Sequence, residues 1–202
     1  LTGGIGSGKS TVAAMLTELA PEGVLTVVDA DAQSRQLTAA GGAAMPAIRQ
    51  QFGDRFVDAQ GAMDRVAMRE LVFRDAVAKE RLEALLHPLV GRALAQQAHA
   101  AAAAGAKVVV FDIPLLVESR HWRPTLEAVW VVDCLPETQL QRVLARASAL
   151  GQPMTESAVM AILGQQASRE RRLAAADAVV CNEGIGLDAL RLEVSALLAA
   201  VL

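Results

Sequence analysis

Apolar positions change period along the chain, and the changes mark out its elements. Val12, Met15, Leu16 and Leu19 recur at helical spacing, which predicts a helix over residues 10–19. Pro21 and Gly23 punctuate its exit. Residues 24–28 (VLTVV) form a short β-branched run of the kind that fills a buried parallel strand. Similar runs recur at 107–112 (KVVVFD), 128–133 (AVWVVD) and 178–181 (AVVC), and Leu1-Thr2 reads as the stub of a first strand. Helical sequence follows Pro136, resumes after a Gly151/Pro153 break through Arg172, and closes the chain over 187–202. Strands alternating with helices predict an α/β fold with a parallel sheet.

One interval interrupts that alternation. Residues 32–104 carry no strand pattern and read as mostly helical, broken at Gly41-Gly42, over 52–61, and near His87-Pro88. The interval is too long for an ordinary crossover, so it reads as an inserted helical subdomain. The alanine-rich run 98–106 reads as a surface helix end closed at Gly105.

Composition narrows the classes. The 202 residues are 53% hydrophobic, enough for a real core in one compact domain with insertions. The formal net charge of -3 argues against a nucleic-acid binder, though not against one basic cleft. No uninterrupted apolar run reaches the roughly 18 residues of a membrane span. No signal-peptide pattern is evident, and an opening on Leu1 rather than Met points to a few residues of the natural start lying upstream. Cys134 and Cys181 have neither metal-ligand spacing nor a disulfide framework, so a reducing, cytoplasmic setting is expected.

The strongest chemical signal is GGIGSGKST, residues 3–11. Gly3, Gly8, Lys9 and Ser10 satisfy G-x-x-x-x-G-K-[ST] between a strand stub and a helix. Glycines let the backbone curl until successive N–H groups converge on one anion, and the helix N-terminus adds partial positive charge. Lys9 would neutralise β- and γ-phosphates, and Ser10 would offer a hydroxyl to Mg2+. Carboxylates at strand ends form a second signal. Asp29 and Asp31 leave the second strand and Asp112 the third, where ligands of open α/β sheets bind. Such a group can bind Mg2+ through water or accept a hydroxyl proton, and Asp112 has the position of a second metal-site acid. Asp133, followed by Cys-Leu-Pro, reads instead as satisfying loop backbone. The third signal is the arginine density of Arg142, Arg146, Arg169, Arg171 and Arg172 on helical sequence around a Gly/Pro break. Guanidinium forks suit phosphate oxygens, and a helical lid can bring them in after ATP binds. A solvated helix face, with Glu170 as partner, is the plainer reading of the same residues.

Further motifs follow in order: VVDAD, Phe52-Gly53, GAMDR at 61–65, LLHPLV at 85–90, DIPLLVE at 112–118, QLQR at 139–142, Gln166 with Arg169, Ala176-Asp177, and Asn182 to Gly184. In this order and spacing the whole chain resembles the dephospho-CoA kinase family. The resemblance implies transfer of the γ-phosphate of ATP to the 3′-hydroxyl of dephospho-CoA, with Mg2+, and no nucleic-acid, membrane or obligate protein partner. It implies a P-loop three-layer fold with a five-stranded parallel sheet. The single domain would divide into a core (1–31, 105–140, 174–202), a helical CoA-binding insert (32–104) and a lid (141–173).

Site residues carry over by position. Gly4, Ile5, Gly6, Ser7, Gly8, Lys9, Ser10 and Thr11 would form the ATP loop, with Arg146 and Asn182 also on ATP. Backbone contacts would suffice at Asn182, so its side chain is expected to matter little. Lys9, Arg142 and Asp31 would be catalytic, Asp31 as general base or orienting group at the acceptor hydroxyl. Ser10 and Asp112 would hold the metal. Asp31, Phe52, Arg65, His87, Leu115 and Glu118 would face the acceptor. His87 has the plainer alternative of shaping a helix break, Phe52 that of core packing, and Glu118 that of holding Arg65. The segment 147–154 is longer and more neutral than the family pattern, which bears on the lid's contacts. A nucleoside monophosphate kinase is opposed by the HP insert and the PLLVE loop. A GTPase switch is opposed by the lack of N-K-x-D, and 58–61 (DAQG) reads as a turn. Lys9, Ser10 and Asp31 leave nothing to favour an inactive binding module.

Overall fold

A computed structural model describes residues 1–119 and 122–202. The chain divides into two compact units, one of Leu1–Val27 with Ala102–Leu202, the other of Val28–Ala101.

The first unit is an α/β layer structure. β1 (Thr2–Gly3) runs into the glycine-rich loop, and α1 (Lys9–Leu19) follows. β2 (Leu25–Asp29) closes this first segment. The chain re-enters the unit at β3 (Val108–Asp112), then β4 (Trp130–Asp133), α6 (Pro136–Ala149), α7 (Glu156–Gln165), α8 (Arg169–Ala174), β5 (Ala178–Cys181) and α9 (Leu187–Ala199). The strands fall where the β-branched runs predict them. β1, β4 and β5 form a parallel sheet in that order, with Thr2 opposite Val131 and Asp133 opposite Cys181. β2 and β3 form a separate two-stranded sheet. The expected five-stranded sheet is thus resolved into three strands and two. The reason is local: β1 keeps strand geometry for only two residues before the loop takes the chain. Leu1 ties it toward β3, its amine donating to the Phe111 carbonyl (2.8 Å) and its carbonyl accepting from Ile113 (3.0 Å), and the Thr2 hydroxyl donates to the Pro114 carbonyl just beyond (3.1 Å). Behind the sheet, Val12, Leu16, Leu25, Val132, Val180, Leu190, Val194 and Leu198 fill one core. Burying each such side chain contributes on the order of 1.5–3 kcal/mol.

The second unit is helical. α2 (Ala30–Leu37) is capped by Asp29, whose carboxylate accepts the Ala32 amide at 2.9 Å. α3 (Met45–Phe52) starts with Pro46 in its first turn, where the missing N–H costs nothing. α4 (Arg65–Arg74) is capped by Asp64, and α5 (Ala76–Ala103) by Asp75. Residues 58–61 make the predicted turn: the Gly61 amide donates to the Asp58 carbonyl (3.0 Å), and the Asp58 carboxylate holds the Gln60 and Ala62 amides. Ala44, Met45, Ile48, Phe56 and Met68 form its core, ringed by partly buried leucines.

Two breaks differ from expectation. α5 runs without interruption through His87 and Pro88. An internal proline costs about 3 kcal/mol, but Leu82, Leu85, Leu86 and Leu89 pack on the core from both sides of it, which outweighs that cost. Conversely, helix does not continue to Arg172 in one piece. It stops after α7 and restarts at α8, where the Ser168 hydroxyl takes the Arg171 amide at 3.2 Å. Gly105 closes α5 as expected, at φ 100°. Among the described residues no helix is long and apolar enough to cross a membrane.

Candidate functional site

The loop between β1 and α1 is shaped from both sides. Gly6 and Gly8 sit at φ 76° and 96°, a region that side chains disfavour. Gly4 has a different constraint: a Cβ there would run into the side chain of Gln139 and approach Arg172 Nη2 to 3.0 Å. A Cβ on Gly6 would lie 2.7 Å from the Gln139 carbonyl. The glycines therefore admit α6 and α8 against the loop as well as freeing its backbone. The Ser7 amide closes a turn on the Gly4 carbonyl (3.0 Å), and α1 begins with Val12 donating to Gly8 (3.1 Å). Among the described residues no side chain caps α1, so its first amides are left for an anion. Ser7 Oγ is fully buried and has no hydrogen-bond partner among the described residues.

Side chains from the far end of the chain grip this loop. Asn182, just past β5, is buried and donates from Nδ2 to the Ser7 carbonyl at 2.7 Å. Arg142 on α6 donates to the same carbonyl at 3.4 Å and to the Asn182 carbonyl at 3.0 Å. Gln166 Oε1 accepts the Ile5 amide at 3.0 Å, and Glu118 accepts the amide of Ala167 beside it at 2.6 Å. Lys9 forms an ion pair with Asp112 at the end of β3, both side chains mostly buried. Arg146 is exposed on the last turn of α6. Asn182 is the clearest departure from expectation: its side chain, expected to matter little, holds the phosphate loop.

Asp133 departs too. It is buried and accepts three bonds from Arg169 at 2.7–3.0 Å, rather than satisfying loop backbone. β4 ends facing the start of α8, a neighbour that its own Cys-Leu-Pro sequel does not reveal. Hydrogen bonding to Asp133 holds the Arg169 guanidinium above its ordinary pKa, and the carboxylate charge reinforces it. Glu183 lies below the usual carboxylate range, because the Leu135 amide and then the Thr138 hydroxyl bond it at the start of α6. Burial pushes the Cys134 thiol up, which makes it a poor nucleophile.

The expected acceptor residues divide between the units. Leu115, half exposed, and Glu118 belong with the phosphate loop. Asp31, Phe52, Arg65 and His87 belong to the helical unit. Asp31 is exposed in the first turn of α2, with Asp29 taking the capping role beside it. Arg65 opens α4 and donates to Thr38 Oγ1 at 2.8 Å. His87 is exposed on α5. Phe52 packs into the core of its unit, edge-on to Phe56 with ring centroids 6.2 Å apart, under the Arg81 guanidinium at 5.0 Å. Core packing therefore accounts for its conformation.

Comparison with known proteins decides the family. The sequence model of dephospho-CoA kinase matches residues 1–188. The chain belongs to the dephospho-CoA kinase family. A family relative named dephospho-CoA kinase in Albidiferax ferrireducens is 51% identical over 194 residues, covering 96% of this chain and 87% of that one. One of the same name in Bordetella pertussis is 52% identical over 184 residues, covering 91% and 80%. Among solved structures, TT1252 from Thermus thermophilus superposes with TM-score 0.76 at 31% identity, over 100% of this chain and 95% of that one. Dephospho-CoA kinase from Campylobacter jejuni shares the fold at TM-score 0.68 and 23% identity, over 99% and 94%.

Within the family frame, Gln139 and Gln166 are residues that sequence reading left without a role, and Arg172 had only the general reading of its arginine cluster. The first two stand in quoted motifs. Gln139 and Arg172 are buried against the loop, a fact that only their distant neighbours create.

Proposed function

We propose that this chain transfers the γ-phosphate of ATP to the 3′-hydroxyl of dephospho-CoA, forming CoA and ADP. The observation that carries the reading is the uncapped N-terminus of α1 behind a curled glycine loop, with Lys9 and Asp112 together at its mouth. The loop's free amides and Lys9 would hold the β- and γ-phosphates. Asp31 would take the proton of the attacking ribose hydroxyl as its oxygen bonds to the γ-phosphorus and ADP leaves. Arg142 would turn its guanidinium to the transferring phosphate, since among the described residues its N–H groups go to the Ser7 and Asn182 carbonyls. Arg146 and Asn182 would complete the ATP side, and Arg65, His87, Leu115 and Glu118 the acceptor side.

Mg2+ fits this donor set. Ser10 and Asp112 offer hard oxygens beside the loop, and Mg2+ takes one or two protein oxygens with phosphates and water. Bound with ATP, it would neutralise charge shared by the β- and γ-phosphates. The proposed architecture is a five-stranded parallel core carried on Leu1's bonds to β3, with 32–104 as acceptor insert and 141–173 as lid. A cytoplasmic setting, with no nucleic-acid, membrane or obligate protein partner, belongs to the same reading. The test is mass spectrometry of the products from ATP, Mg2+ and dephospho-CoA, with AMP as rival acceptor. CoA and ADP are expected. Phosphorylation of AMP instead, or no CoA from folded protein, overturns the proposal.

A further inference from the structure

Arg172 presents a charge that the fold does not explain. It lies on α8 with only 6% of its surface exposed, and its Nη1 donates to the Ala167 carbonyl. Its Nη2 and Cζ lie 3.0 and 3.2 Å from where a Cβ on Gly4 would stand, so the guanidinium is pressed against the phosphate loop. Among the described residues no carboxylate pairs with it. Lys9 is matched by Asp112 and Arg169 by Asp133, while Glu118 bonds the Ala167 amide and forms no ion pair with Arg172. A buried, unpaired charge is costly, and a neutral donor would serve one backbone carbonyl as well.

We infer that Arg172 supplies uncompensated positive charge behind the phosphate loop, and that the phosphates of the bound nucleotide are its counter-ion. The inference rests on reading the loop as a triphosphate site. Burial strengthens the effect, because the field reaches the loop through protein rather than water. Arg172 need not touch the phosphates; it acts through the loop that does, as a positioning charge. It should weigh most on the most highly charged ligands.

Three variants of the full chain separate charge from packing: Arg172→Gln, which keeps an amide donor for Ala167, Arg172→Met, and Arg172→Lys. Calorimetric titration would use ATP, AMP and tripolyphosphate. Gln and Met are expected to weaken ATP and tripolyphosphate on the order of tenfold, about 1.4 kcal/mol, and AMP much less. Lys is expected to restore most of the loss. Arg172→Gln that binds ATP and tripolyphosphate like the parent protein overturns the inference. So does a Lys variant as weak as Gln, or an equal loss for AMP, since these indicate a brace rather than a charge. If Met fails to fold, Gln and Lys carry the comparison. If the parent protein itself binds neither ATP nor tripolyphosphate, the triphosphate reading falls and this inference with it.

Discussion

Replacing Asn182 with alanine asks whether the phosphate loop depends on a side chain 175 residues away. The Asn182 amide donates to the Ser7 carbonyl at 2.7 Å in a buried setting. Its removal forfeits a bond with a net value of about 0.5–1.5 kcal/mol and leaves that carbonyl short of a partner, at a penalty of about 1–3 kcal/mol. Arg142 reaches the same oxygen at 3.4 Å, long enough to recover only part of this. The expected net loss is about 2 kcal/mol. For a chain of this length that is a fall of roughly 4–8 °C in Tm. The loop amides should also lose their alignment, so ATP affinity should fall by about tenfold. Asn182→Asp sharpens the test. A carboxylate cannot donate to the carbonyl and adds negative charge beside the loop, so it should bind ATP more weakly than alanine does. Thermal unfolding with and without ATP reads both quantities. An alanine variant with parental Tm and parental ATP affinity would refute the reasoning.

Other outcomes follow from the same contacts. Lys9→Met leaves Asp112 buried without its cation, which should cost about 3–5 kcal/mol as well as turnover; Lys9→Met with Asp112→Asn should recover most of the Tm and none of the activity. Asp31→Asn should lower kcat by about 10²–10⁴ while Tm barely moves, because Asp31 is exposed; near-parental kcat would remove the base role. Glu183 has a depressed pKa, so its stabilising bonds to Leu135 and Thr138 are fully present at neutral pH and fade as pH falls below the ordinary value of 4.5. Comparing Tm with that of Glu183→Gln across pH should show a gap that narrows in acid, and a gap independent of pH would contradict this.

Much of the fold was legible because its signals are local. The β-branched runs at 24–28, 107–112, 128–133 and 178–181 sit on β2 to β5 within two residues, since branched side chains suit the pleated backbone of a strand. The loop's role was legible for the same reason: adjacent residues supply glycine freedom, lysine charge and helix terminus together. Pro88 misled because its local cost is certain, whereas the leucines that offset it gain their value only by packing on α3 and α4. Asp133 misled because its partner, Arg169, lies 36 residues away.

The sequence by itself determined the family, the phosphate loop and the order of strands and helices. Each is written in contiguous residues or in a fixed succession of short motifs. Only the tertiary structure decided how the loop is held: Gln139 and Arg172 against Gly4, Gln166 on the Ile5 amide, Asn182 on the Ser7 carbonyl. Those contacts join residues more than 130 positions apart. Burial and partner choice at such separations belong to the packed layers, so no window of sequence contains them.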